Sequence, residues 1–111
     1  MKTLTKKEKT ALAEFRSRID KLLGAKVSKI LLYGSKARGD AKNSSDTDVL
    51  VVLKSQDFKD KLAVFDLAFD IMMDFGIDLS TAVISQSRWN KYQKTPTSFS
   101  YSVKRDAIEI K

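Results

Sequence analysis

The sequence predicts an α/β (α+β) fold: a small mixed β-sheet with helices packed mainly on one face. Three observations predict it. Segments of helical and strand character interleave in the order α-β-(loop)-β-α-β-α-α-β. Short runs rich in β-branched residues stand between long amphipathic stretches. The 111 residues are enough for one small core. The chain, 1–111, is therefore expected to be a single domain, with an N-terminal helix over 1–24 and a core over 25–111.

Each element has its own signal. Thr5 and Glu8 have the spacing of a capping box. After them Leu12, Phe15, Ile19 and Leu22 recur at helical spacing and Gly24 can stop the chain, which predicts a helix over 5–23. Residues 27–33, VSKILLY, read as a buried strand, and residues 45–53, SDTDVLVVL, as a second. Residues 57–75 give the clearest helix. Phe58, Leu62, Phe65, Phe69 and Met72 make one apolar stripe, widened by Val64, Ala68, Ile71 and Phe75, with Gly76 as the stop. Residues 77–84, IDLSTAVI, are a third strand. Residues 87–106 are expected to form two short helices broken at Pro96, because a residue before proline disfavours α geometry. AIEI at 107–110 completes the series as a short strand.

Composition narrows the chemistry. The chain has neither cysteine nor histidine. That excludes disulfides, thiol nucleophiles, zinc sites of the cysteine type, Ser-His-Asp hydrolysis and imidazole proton transfer. Catalysis would rest on carboxylates, lysines, hydroxyls or a metal bound by oxygen, which favours magnesium or manganese. No apolar run is long enough for a membrane span, and the N-terminus lacks the apolar region of a secretory signal, so a cytoplasmic location is expected. The net charge of +7 is uneven, basic at both ends and acidic through the long central helix. Such a balance suits nucleotide phosphates, nucleic acid or merely solvated lysines.

The chemistry concentrates in LLYGSKARGDAKNSSDTDVLVVL, residues 31–53. Gly34 and Ser35 close a strand, where backbone N–H groups and a hydroxyl can meet a phosphate, and Ser35 is a natural helix N-cap. A turn with a capping serine would look the same. Gly34 and Gly39 have P-loop spacing, but Asp40 and Ala41 follow where lysine and a hydroxyl are required, so a P-loop is rejected. Asp46 and Asp48, two apart on a strand, point to one side. Two such carboxylates repel, and a divalent cation resolves the conflict; two solvated acids at a strand end are the plain alternative. Asp78, early in the third strand, would join them if the two strands are neighbours. Three acids can hold two metals roughly 3.5–4 Å apart.

The string G-S-x10-D-x-D resembles the signature of the DNA polymerase β-like nucleotidyltransferase superfamily, and within it the small minimal nucleotidyltransferases. FGIDLSTAVIS resembles the family strand that carries the third acid, and TPTSFSYSVKRDAIEI its closing helix and strand, with Ala107 where glycine is common. The resemblance covers roughly residues 25–111. It implies that Gly34 and Ser35 contact the nucleotide phosphates. Asp46, Asp48 and Asp78 are implied as catalytic residues and ligands of Mg2+ (or Mn2+), with Asp78 assisting deprotonation of the acceptor. Arg38 and Lys36 are implied to neutralise the triphosphate, unless they are solvated loop charges. The reaction implied is transfer of a nucleoside monophosphate, AMP from ATP, onto a hydroxyl. The resemblance implies pairing with a HEPN-domain toxin, as small family members of this kind often do, some of them silencing it by adding AMP to a tyrosine. The acceptor is expected to be a separate macromolecule that brings its own surface, or a partner chain in a homo- or hetero-oligomer completes the site.

Two readings stand beside the enzyme. One is a non-catalytic antitoxin or binding module with the same fold. The other is a basic nucleic-acid-binding domain, disfavoured because aromatic and basic residues do not interleave. Asp66, Asp70 and Asp74 lie at i, i+4 steps on the long helix, either as a solvated face or as a docking face for a basic partner. Trp89 and Tyr92 are read as packing or interface residues. The acceptor, base preference and oligomeric state are not encoded in any motif.

Overall fold

The structure is a computed structural model that describes residues 4–39, 46–54 and 57–111. Helix α1 spans Lys6–Leu23 and opens with the expected capping box. The Thr5 hydroxyl accepts from the Glu8 N–H at 3.1 Å, and the Glu8 carboxylate accepts from the Thr5 N–H at 2.8 Å. A single 3-10 turn, Gly24–Lys26, leads into strand β1, Val27–Tyr33. The four-residue helix α2, Ser35–Arg38, follows at once. Strand β2, Thr47–Leu53, and helix α3, Phe58–Phe75, come next. Then follow strand β3, Leu79–Ser85, helices α4, Gln86–Lys94, and α5, Ser98–Asp106, and the two-residue strand β4, Ile108–Glu109. The break between α4 and α5 falls around Pro96, as the sequence predicts. Most of the predicted loop, 40–45, lies outside the described residues, as does the first residue of the strand predicted over 45–53.

The strands form one mixed sheet in the order β3-β2-β1-β4. β1 runs antiparallel to both β2 and β4, and β2 parallel to β3. A parallel neighbour requires a crossover, and α3 supplies it. The alternation along the central strands sorts their side chains into two layers. Ile30, Leu32, Val49, Val51 and Leu53 pack against Ala11, Phe15 and Ile19 of α1 and Val64, Ala68 and Ile71 of α3. Leu31, Leu50 and Val52 face the other way, toward Val103 of α5 and Trp89 of α4. The two long helices thus share one face, and the short C-terminal pair covers the other.

Two helix faces differ from the sequence expectation. Leu22 is exposed, and Leu23 turns inward in its place. On α3 the expected stripe of Phe58, Leu62, Phe65 and Phe69 lies outside, while Val64, Ala68 and Ile71 go in. The reason is close packing: small and β-branched side chains let the helix axis approach the sheet, and a helix apolar on two sides can bury only one of them there. Among the described residues no helix is long and apolar enough to cross a membrane.

Candidate active site

The site forms where β1 ends and β2 begins. Gly34 ends β1 at φ 77° and ψ −158°, a region that essentially only glycine enters. The reason for glycine is also steric. A Cβ placed there would stand 2.5 Å from Oδ2 of Asp48. The first turn and the acid strand, argued separately from sequence, therefore meet as one contact. Pairing explains it: Tyr33 sits opposite Asp48 across the β1–β2 ladder, and Ser80 sits beside Asp48 across the β2–β3 ladder. Asp48, half-buried on β2, is thus flanked by β1, β3 and Gly34.

That enclosure sets its electrostatics. Burial first, and then the charge of Asp46, push the Asp48 carboxyl above the usual carboxylate range. Among the described residues no cation enters that balance, and neither Lys36 nor Arg38 neutralises Asp48. The Tyr33 phenol is likewise pushed up, by burial and then by Asp48. Its ring meets Phe99 of α5 edge to face at 5.8 Å.

Asp46 and Asp78 lie just outside their strands and are both exposed. The backbone brings them side by side, because the Thr47 N–H donates to the Asp78 carbonyl at 3.3 Å. Asp78 thus precedes β3 rather than lying within it. The structure couples Asp46 to Asp48, but among the described residues no three acids are gathered closely enough to hold a metal ion. The donor set still fits a hard divalent cation: a desolvated carboxylate, a second beside it, and no hydrogen-bond donor spent on the first among the described residues.

The turn's other residues have different tasks from those expected. Gly34, not Ser35, is the N-cap of α2, and among the described residues nothing is hydrogen-bonded to the half-exposed Ser35 hydroxyl. Lys36 is buried, with its Nζ 2.6 Å from the Glu8 carboxylate. The expectation that it faces phosphate is therefore corrected: the ammonium points into the α1–α2 contact. Arg38 donates to Asp106 at 2.7 Å. So α2 is tied to α1 by one charge pair and to α5 by another. Sequence reasoning missed Glu8, Asp106, Tyr33 and Phe99, since each acts across a separation that no local spacing reveals.

The sequence model of the family described as "Polymerase beta, Nucleotidyltransferase" matches residues 17–111. The chain belongs to that family. It is a nucleotidyltransferase with the small mixed sheet expected of one. Two chains of Methanocaldococcus jannaschii, both provisionally named protein adenylyltransferase, are similar in sequence. One is 33% identical over 84 residues, covering 76% of this chain and 80% of the relative. The other is 31% identical over 101 residues, covering 89% and 94%. Solved structures share the fold. A nucleotidyltransferase of Sulfolobus solfataricus, provisionally so named, superposes with a TM-score of 0.56 at 16% identity, covering 91% of this chain and 77% of that one. A mutant of the toxin–antitoxin pair MntA–HpeT gives 0.56 at 17% identity, covering 88% and 70%. A toxin–antitoxin with AMP-PNP gives 0.55 at 17% identity, covering 87% and 70%.

The nucleotidyltransferase site makes one residue testable by itself. Gly34→Ala is expected to cost about 1–3 kcal/mol from backbone strain alone. It should also push Asp48 aside and remove nucleotide transfer. Gly76→Ala is the control. Gly76 also has positive φ, at 69°, but its added Cβ would meet only the tip of Lys7 at 3.4 Å. Thermal melts and transfer assays of the two variants should separate strain from site damage.

Proposed function

We propose that the chain is an adenylyltransferase that moves AMP from ATP onto a hydroxyl of a separate protein. The observation that carries this reading is the close approach of Gly34 to Asp48, which sets the glycine turn after β1 against a half-buried acid. The names of the two Methanocaldococcus relatives support the donor and acceptor classes, and the AMP-PNP of one structural neighbour supports an adenine nucleotide.

In this reading the Gly34 backbone and the Ser35 hydroxyl hold the phosphates. Lys36 and Arg38 act on them through the turn they anchor. Asp46, Asp48 and Asp78 would hold Mg2+ or Mn2+, whose chemistry there is to offset phosphate charge and make the acceptor hydroxyl a better nucleophile. Asp78, the exposed acid, assists removal of the hydroxyl proton. The acceptor oxygen bonds to the α-phosphorus as the bond to pyrophosphate breaks, so the negative charge leaves with pyrophosphate. The toxin–antitoxin neighbours support a toxin as the acceptor; that it is of the HEPN type follows from the sequence resemblance alone, and a cytoplasmic site of action is consistent with ATP as donor.

A second reading, a fold-retaining module that neutralises its partner by contact alone, is favoured by one observation: the three acids are not gathered. One experiment decides. The chain is incubated with α-labelled ATP, magnesium and a partner protein. Label on the partner that is lost in Asp46→Asn supports the enzyme; tight binding of an unlabelled partner supports the module.

A further inference from the structure

Helix α3 is apolar on two sides, and only one side is used by the core. Phe58 is 68% exposed, Leu62 45%, Phe65 38%, Phe69 57% and Met73 67%. At 3.6 residues per turn these five fall on one narrow arc, away from the buried Val64, Ala68 and Ile71. At such exposures they offer on the order of 500 Å² of apolar surface. That is more than half of the roughly 800 Å² each partner gives to a stable interface. The exposed Asp66 and Asp70 border the stripe, and Asp74 follows, bridged to Arg18 at 3.0 Å. The stripe also has a direction. α3 stops at Gly76, and Asp78 comes two residues later beside the start of β2. Its Met73 end therefore lies toward the end of the sheet where Asp78 stands.

We propose that this face of α3 docks an amphipathic helix of the acceptor protein, with an apolar ridge flanked by Lys or Arg. Charge selects this occupant. The chain as a whole is +7, yet one edge of the stripe is bordered by the exposed Asp66 and Asp70. A second copy packing isologously would present the same acidic border to itself, whereas a basic ridge complements it. The end of the stripe near Asp78 gives the docked protein's own hydroxyl a path to the site. The proposal rests on the reading that the acceptor is a separate protein.

The test uses the full chain and two synthetic helical peptides of roughly 18 residues, about five turns. Both carry leucine on one face; one has lysine flanks, the other glutamate. Fluorescence anisotropy should show the lysine peptide binding about tenfold more tightly or better. Asp66→Lys with Asp70→Lys should invert that order. Phe65→Ser with Phe69→Ser should remove binding, and amide chemical shifts should move on α3. Equal binding of both peptides, or shifts elsewhere, would overturn the proposal. So would a dimer in sedimentation that Phe69→Ser dissociates. Should the serine variant not fold, the lysine variant still decides. Asp46→Asn should bind the peptide unchanged, so loss of transfer and loss of docking are scored separately.

Discussion

Asp48→Asn is expected to lower nucleotide transfer by about a thousandfold while making the protein more stable at neutral pH. Both outcomes follow from one environment. Burial and Asp46 hold the Asp48 carboxyl above its ordinary range. A carboxyl with a higher pKa folded than unfolded binds more protons in the folded state. Stability from this group is therefore greatest in acid and falls as pH rises from the unfolded value through the folded one. Above both values the ionised side chain is a standing cost, and asparagine removes it at nearly the same volume. Melting curves across that window should show the Asn variant gaining most at the alkaline end. A variant that is inactive and also less stable at neutral pH would contradict the account of the site.

The second large effect lies away from the chemistry. Lys36→Met should destabilise the protein by about 3 kcal/mol, since it leaves the buried Glu8 carboxylate without its cation. In a domain of this size that lowers the melting midpoint by roughly 10–20 °C. The two side chains are each only 7% exposed and 2.6 Å apart. Burial raises the Glu8 pKa, but the bonds from Lys36 and from Thr5 outweigh it and leave the group below its usual range. Stability from Glu8 is thus fully present above its unfolded pKa and is lost as pH falls through the folded value. Lys36→Met should accordingly flatten the acid limb of the stability curve. Replacing both partners, Glu8→Leu with Lys36→Met, should recover much of the loss, because no orphaned charge remains. The double variant should also bind ATP more weakly than wild type if the pair positions the turn.

Much of this was legible in the sequence, for identifiable reasons. The elements announce themselves through local physics: a capping box at Thr5 and Glu8, glycine stops at Gly24 and Gly76, and a proline break at Pro96. The Gly34-Ser35 and Asp46-x-Asp48 spacing points to the candidate site because the meeting of Gly34 with Asp48 follows from the pairing of two strands adjacent in sequence. What was not legible depends on partners distant in the chain. Lys36 resembles a loop cation until α1 places Glu8 against it, and Arg38 until α5 brings Asp106. The periodicity of α3 was read correctly as apolar, but periodicity does not say which of two apolar faces meets the sheet. Val64 and Ala68 decide that through their size. Asp78 shows the remaining boundary. Parallel pairing of β2 and β3 sets its backbone beside Asp46, while the direction of its carboxylate is not a property of sequence spacing.

The double tether of α2 has a consequence for the protein's birth. Glu8, earlier in sequence, holds α2 on one side and Asp106, much later in sequence, holds it on the other. During synthesis the first tether can close early, but the second must wait until α5 has cleared the ribosome. A nascent chain that stops short of α5 would carry α2 without its second tether. The clasp on α2 therefore closes only once Asp106 has left the ribosome, and a ribosome stalled within α5 displays the turn after β1 held from α1 alone.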